Sequence, residues 1–187
     1  MRRIAFSIIM ICLVSGGVLG QVSNKYPPPP DPAQWAKDSI KPYQKNPTLP
    51  AFNILLQDTV TIFNTFNIPG GKVTAIVLFD PHCKHCKHSI GGLMKAMDSV
   101  KDVQFYFVTL IHDMEEVKKF YTDYHMAEHP NIKMMGRDYE FFFVDHYRVL
   151  NIPDVALYDE NKKFIKLIER DFSATSIREA IDEHRKH

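Results

Sequence analysis

The amino-acid order predicts an α/β chain, a three-layer α/β/α sandwich around a mixed sheet with an N-terminal β-hairpin extension. Three observations carry this. First, Val73–Phe79 (VTAIVLF) and Val103–Ile111 (VQFYFVTLI) are continuous apolar runs rich in β-branched and aromatic residues, the pattern of strands covered on both faces. Second, the stretch between them sets Ile90, Leu93, Met94 and Met97 at helical spacing, one apolar stripe facing a core. Strand, crossover helix and strand imply a right-handed parallel unit. Third, two paired β-prone runs read as hairpins, which add antiparallel strands. One pair is Phe52–Leu56 with Val60–Phe63 around Gln57-Asp58, and the other is Asp154–Tyr158 with Lys163–Ile168 around residues 159–162.

The remaining elements follow in chain order. Residues 1–20 read as a signal peptide. Arg2 and Arg3 precede the apolar run Ile4–Val14, Ser15-Gly16-Gly17 loosens its end, and cleavage is expected after Gly20. The apolar stretch Ile4–Leu19 is sixteen residues long, short of the roughly 17–25 that a spanning helix needs. The chain is therefore expected to be exported to the periplasm or cell envelope. Membrane anchoring, facing away from the cytoplasm, is the alternative if this segment is retained. Residues 21–48 hold Pro27–Pro30 and Pro32, a semi-rigid polyproline spacer, with a short helix expected over Ala33–Lys45 around Trp35. The domain is expected over 49–187. Within it Pro69-Gly70-Gly71-Lys72 is a turn, and Asp113 caps a helix reaching about His125. A loop with His129-Pro130 and Gly136 follows, then an aromatic-rich helix from Asp138 to about Leu150. Ser173 or Thr175 caps a last helix carrying Ile177 and Ile181.

Composition narrows the function. The 187 residues are 45% hydrophobic and 24% charged, enough to build one core. Lys and Arg number 23 against 22 Asp and Glu, so there is no basic field to hold a polyanion and no nucleic-acid partner is expected. Of three cysteines, Cys12 lies in the leader, leaving Cys83 and Cys86. Two cysteines do not staple a small exported domain, and a bond between residues three apart closes too small a loop to constrain the unfolded chain. The pair is expected to do chemistry.

That chemistry centres on Phe79–Ile90, F-D-P-H-C-K-H-C-K-H-S-I. A buried strand ends just before the pair and a helix starts on it. Cys83 then meets unpaired backbone N–H groups and the positive end of the helix dipole, which stabilise a thiolate. Cys86 lies one turn further in, placed to resolve a mixed disulfide. Lys84 and His85 are candidates for tuning the thiol, crowded by His82, Lys87 and His88. Cations at a helix N-terminus oppose the dipole, a conflict that an anion at Cys83 relieves. Each unit of pKa lowering on an attacking thiol corresponds to about 1.4 kcal/mol, or roughly 30 mV for a two-electron couple. A rival reading takes His82, Cys83, His85, Cys86 and His88 as copper or zinc ligands. Zinc wants four donors in a tetrahedron, usually from two separated elements, and this run wraps poorly, so no metal is expected. A third reading keeps the fold as a non-catalytic binding module.

From Pro50 to the C-terminus the chain resembles the thioredoxin-like thiol–disulfide oxidoreductases of the bacterial envelope, the TlpA/ResA branch. The matching pieces are P-A-F-N-I-L-L-Q-D at 50–58, G-K-V-T-A-I-V-L-F-D-P-H-C-K-H-C at 71–86, and Y-R-V-L-N-I-P-D-V-A-L-Y-D at 147–159. The resemblance implies a thioredoxin-like sandwich, a redox-active disulfide with no other cofactor, and as partners protein thiols or disulfides plus a redox-recycling protein. It also implies a cis Ile152-Pro153 bond beside the dithiol, with the backbone of Ile152 pairing with substrate. Three positions depart from the pattern: Val77 and Ser89 stand where such proteins carry acids that move protons at the buried thiol, and Asp154 stands where Thr is common. His85 matches the histidine of DsbA-type oxidants, which leaves the direction of electron flow open.

Overall fold

A computed structural model describes residues 27–35, 37 and 40–187. The expected signal peptide, its retention as an anchor, and the first residues of the spacer lie outside them. In chain order the elements are α1 (Pro32–Trp35), α2 (Pro42–Lys45), β1 (Asn53–Leu56), β2 (Ile62–Asn64), β3 (Thr74–Phe79), α3 (Lys84–Lys95) and β4 (Gln104–Thr109). Then come α4 (Met114–Asp123), β5 (Ile132–Arg137), α5 (Phe142–Tyr147), β6 (Asp154–Tyr158), β7 (Phe164–Glu169) and α6 (Ala174–His184).

All six residues of β3 are buried, and their alternation builds two cores. Ala75, Val77 and Phe79 enter one with α3, α4 and α6, through Cys86, Ile90, Leu93, Val117, Phe120, Ile177 and Ile181. Ile76 and Leu78 enter the other with Phe143 and Tyr147 of α5 and, more loosely, Tyr43 of α2. The sheet order is β2-β1-β5-β4-β3-β6-β7. β3, β4 and β5 are parallel, whereas β6, β7 and the β1–β2 hairpin join antiparallel. This is the expected three-layer α/β/α sandwich with a mixed sheet and an N-terminal hairpin.

Three expectations need correction. The loop around Gly136 is strand β5, on which the hairpin docks. A Cβ at Gly136 would lie 2.6 Å from both Ile54 Cγ2 and Leu55 O, so glycine here marks close backbone approach rather than a turn. The helix expected over 138–150 shortens to α5, because buried Asp138 accepts the N–H groups of Glu140 (3.2 Å) and Phe143 (2.7 Å) and so builds a turn. The helix over 33–45 divides into α1 and α2, since Lys41 before Pro42 is extended at φ −67°, ψ 148°.

Contacts with the domain begin ahead of residue 49. Phe164 N–H donates to Pro47 O (2.6 Å), and the Tyr43 ring lies 4.8 Å from that of Phe164. Trp35 Nε1 donates to Asp145 Oδ1 at 3.0 Å, and the Arg148 guanidinium covers its ring.

Candidate active site

The site forms where β3 gives way to α3. Asp80 turns the chain: its carboxylate accepts His82 N–H (2.7 Å) and its carbonyl accepts Cys83 N–H (3.1 Å). Cys83 is the N-cap of α3, in extended backbone, and its sulfur accepts the N–H of Cys86 at 3.4 Å. A cysteine thus stands where Ser or Asp would satisfy the first turn. Both thiols are free; Cys83 is half-buried and Cys86 fully buried. Burial pushes the Cys86 thiol far above its ordinary value. The Asp80 N–H, 3.5 Å from its sulfur, acts against this, and the nearby Cys83 and Asp80 carboxylate add to it.

The Ile152-Pro153 bond is cis. The carbonyl oxygen of Ile152 lies 3.9 Å from Cys83 Sγ, joining residues 69 positions apart. A cavity of about 240 Å³ opens beside this contact, lined by Leu78, Asp80, Leu110, His112 and Ile152 among others. Lys84 and His85 are exposed on the outer side of the first turn, as are His82, Lys87 and His88. His85 Nδ1 lies 3.5 Å from Asp171 Oδ1, with both side chains largely in solvent.

Val77 and Ser89 are buried on the inner side. The Ser89 hydroxyl accepts Phe172 N–H at 3.4 Å. Asp154 does not replace the missing acids, because β6 alternates: Val155 enters the core that holds Cys86, whereas Ala156 enters the other. Asp154 therefore lies on the far face of the sheet, opposite Leu78. Its Oδ1 accepts Arg170 N–H at 2.8 Å, and burial raises its carboxyl to about 7. The acid next to Cys86 is Asp80, whose backbone N–H lies 3.5 Å from the sulfur and whose charge adds to the rise of its thiol; sequence reasoning missed it because the turn after β3 creates that proximity. Its place in the sequence, between the strand's end and the first cysteine, was the available signal. Among the described residues no three His, Cys, Asp or Glu side chains converge as a metal-holding group.

No family model matches the chain, and no curated protein matches it in sequence. Solved structures do. A secreted disulfide oxidoreductase of Mycobacterium tuberculosis, homologous to Escherichia coli DsbE, is 14% identical with a TM-score of 0.57, over 71% of this chain and 95% of that one. The thioredoxin domain of a thiol-disulfide oxidoreductase from Bacteroides vulgatus is 12% identical at 0.57, over 78% and 98%. StoA from Bacillus subtilis is 16% identical at 0.53, over 72% and 98%. The chain has the thioredoxin fold. In this thioredoxin fold the dithiol follows the inner strand β3, and the cis-proline loop closes over its outer sulfur.

Proposed function

We propose that the protein is a thiol–disulfide oxidoreductase of the cell envelope, exchanging disulfides with protein partners through Cys83 and Cys86. The observation that carries this is the asymmetry of the pair: one sulfur reachable at a helix N-cap, the other enclosed beneath it. The Cys83 thiolate attacks a partner disulfide, forming a Cys83–partner bond and expelling the partner's other sulfur as thiolate. Cys86 loses its proton and attacks Cys83 sulfur, which releases the second partner thiolate. The partner gains two electrons and the protein is left with a Cys83–Cys86 disulfide, which a redox-recycling protein reduces. Run in reverse, the same steps oxidise a partner dithiol.

The residues divide this work. The Cys86 N–H and the helix end favour negative charge on Cys83, and Lys84 and His85 add screened attraction. Asp80 accepts the proton of Cys86. Ile152 and Pro153 shape the groove, and the Ile152 carbonyl, which accepts from Cys83 Sγ at 3.9 Å, exchanges that contact for substrate backbone. The expected export signal at residues 1–20 supports the envelope location, with membrane attachment only if that segment is retained. Two measurements test the reading. Insulin reduction should be catalysed by the native protein and not by Cys83→Ser. Alkylation of the native reduced protein should label Cys83 before Cys86, by at least about tenfold; the opposite order would overturn the assignment of roles.

A further inference from the structure

A second groove starts at Lys87, one turn beyond Cys83, and runs between α3 and the C-terminal end of α4. Its volume is about 490 Å³, and Lys87, His88, Gly92, Lys95, Tyr124 and His125 line it. The Tyr124 hydroxyl donates to Lys87 O at 3.3 Å, tying the two walls together. Two successive glycines inside a helix also line the groove, each costing about 1 kcal/mol relative to alanine. Packing explains the first, since a Cβ at Gly91 would lie 3.3 Å from the Tyr124 ring. It does not explain the second, where a Cβ at Gly92 would meet nothing within 4 Å. Gly92 is exposed, and a side chain added there would project into the mouth of the groove without meeting the protein.

The charges around this channel are unlike those on α4 and α6. Lys118, Lys119, Arg178 and Arg185 each hold a carboxylate at 2.5–2.6 Å. Among the described residues Lys87, His88 and Lys95 have no acidic partner within 4 Å. The groove's own carboxylate, Asp123, is held by Lys119 at 2.5 Å, and His125 lies 3.1 Å from Glu128. The cations face the channel while the acid on its wall is already paired. The lysines of this strip continue into Lys84 beside Cys83, whereas His85 lies 3.5 Å from Asp171, on a chain with a formal net charge of only +1.

We propose that this groove receives an acidic, extended segment of the partner protein whose cysteine reacts at Cys83. The link to Cys83 rests on the proposed function, whereas the groove's preference for acidic chain does not. From Cys83 to Lys95 the helix rises about 18 Å, the span of five or six extended residues. Charge complementarity of this kind steers encounter and raises association rates more than it raises affinity.

The test uses a peptide of one cysteine followed by six glutamates, and its six-glutamine counterpart, each as the disulfide-linked dimer. Reduced protein should react roughly tenfold faster with the glutamate dimer at low salt, and lose that preference in high salt. Lys95→Glu should cut the preference about threefold or more and leave the glutamine rate unchanged. Lys95 is about 18 Å along the helix from Cys83, within the roughly 30 Å Debye length of a 0.01 M solution, so the glutamine dimer is the control: thiol tuning would change both rates, and docking only the glutamate rate. Gly92→Gln, which places a neutral side chain over the groove mouth, should do the same. Binding is read separately as the fluorescence anisotropy of a labelled serine-for-cysteine glutamate peptide on Cys83→Ser. Binding that Lys95→Glu weakens, without exchange of any peptide, would sustain the groove and sink the proposed function. Equal rates for both dimers with no anisotropy change would overturn the groove while leaving exchange intact. Self-association in sedimentation that Lys95→Glu abolishes would assign the groove to a second copy, and so overturn the acidic partner.

Discussion

Cys83 and Cys86 lie one helical turn apart, and their surroundings obey opposite physics. Around Cys83 the surface is wet, cationic and rich in N–H groups, all of which favour negative charge on sulfur. Around Cys86 the side chains of Val77, Ser89 and Ile90 are buried, and the same negative charge is penalised by desolvation. The difference teaches that one short motif yields two roles because the helix turns its second cysteine inward by about 300° of rotation. In the proposed function, attack belongs to the sulfur that is reachable, and resolution to the one whose charge burial penalises.

The largest expected effects break the comparison outright. Cys83→Ser should reduce insulin turnover to solvent background. Cys86→Ser should still attack once and then accumulate a mixed disulfide, seen as an added partner mass. A buried acid elsewhere checks whether burial dominates generally. Asp154 has its carboxyl raised to about 7 by desolvation, with Glu169 raising it further and the Arg170 N–H, Lys41 and Arg170 opposing. A raised acid binds its proton more tightly when folded, so its stabilising contribution is complete below about pH 4 and is lost as pH rises through about 7. Asp154→Asn keeps an acceptor for Arg170 N–H and should be more stable than the native protein above pH 7, on the order of 2–4 kcal/mol. Melting temperature against pH reads this, and identical profiles would count against burial as the cause.

Smaller effects sharpen the comparison. Because burial raises the Cys86 thiol well above its ordinary value, the resolving step should keep accelerating with pH and show no plateau near the ordinary thiol pKa of about 8.5. Asp80→Asn should slow that step about tenfold at pH 7, although removing its charge lowers the Cys86 pKa. Stopped-flow decay of the mixed disulfide separates the two, since a merely electrostatic Asp80 would make the variant faster. Lys84→Gln should change the alkylation rate of Cys83 only about two- to threefold, and less in high salt, because an exposed charge is screened.

Much of this was legible in the residues. The alternation and burial of β3 and β4, the Asp113 and Ser173 caps, both hairpins and the strand–dithiol–helix junction follow from periods and caps spanning a few positions. Segment 132–150 was not. β5 carries methionines and a glycine instead of a β-branched run, and its strand character comes from lying between β4 and β1. α5 was overextended because a helical aromatic pattern does not show that Asp138 spends its carboxylate on a turn.

The sequence by itself determined which two sulfurs meet at the start of a helix, since spacing and capping act within one turn. Only the tertiary structure decided how fully Cys86 is enclosed, that Asp154 faces the other side of the sheet while Asp80 lies beside Cys86, and that a lysine-lined channel runs off the site. Burial and cross-sheet neighbours are set by contacts between distant segments, and local periodicity carries no record of which segments those will be.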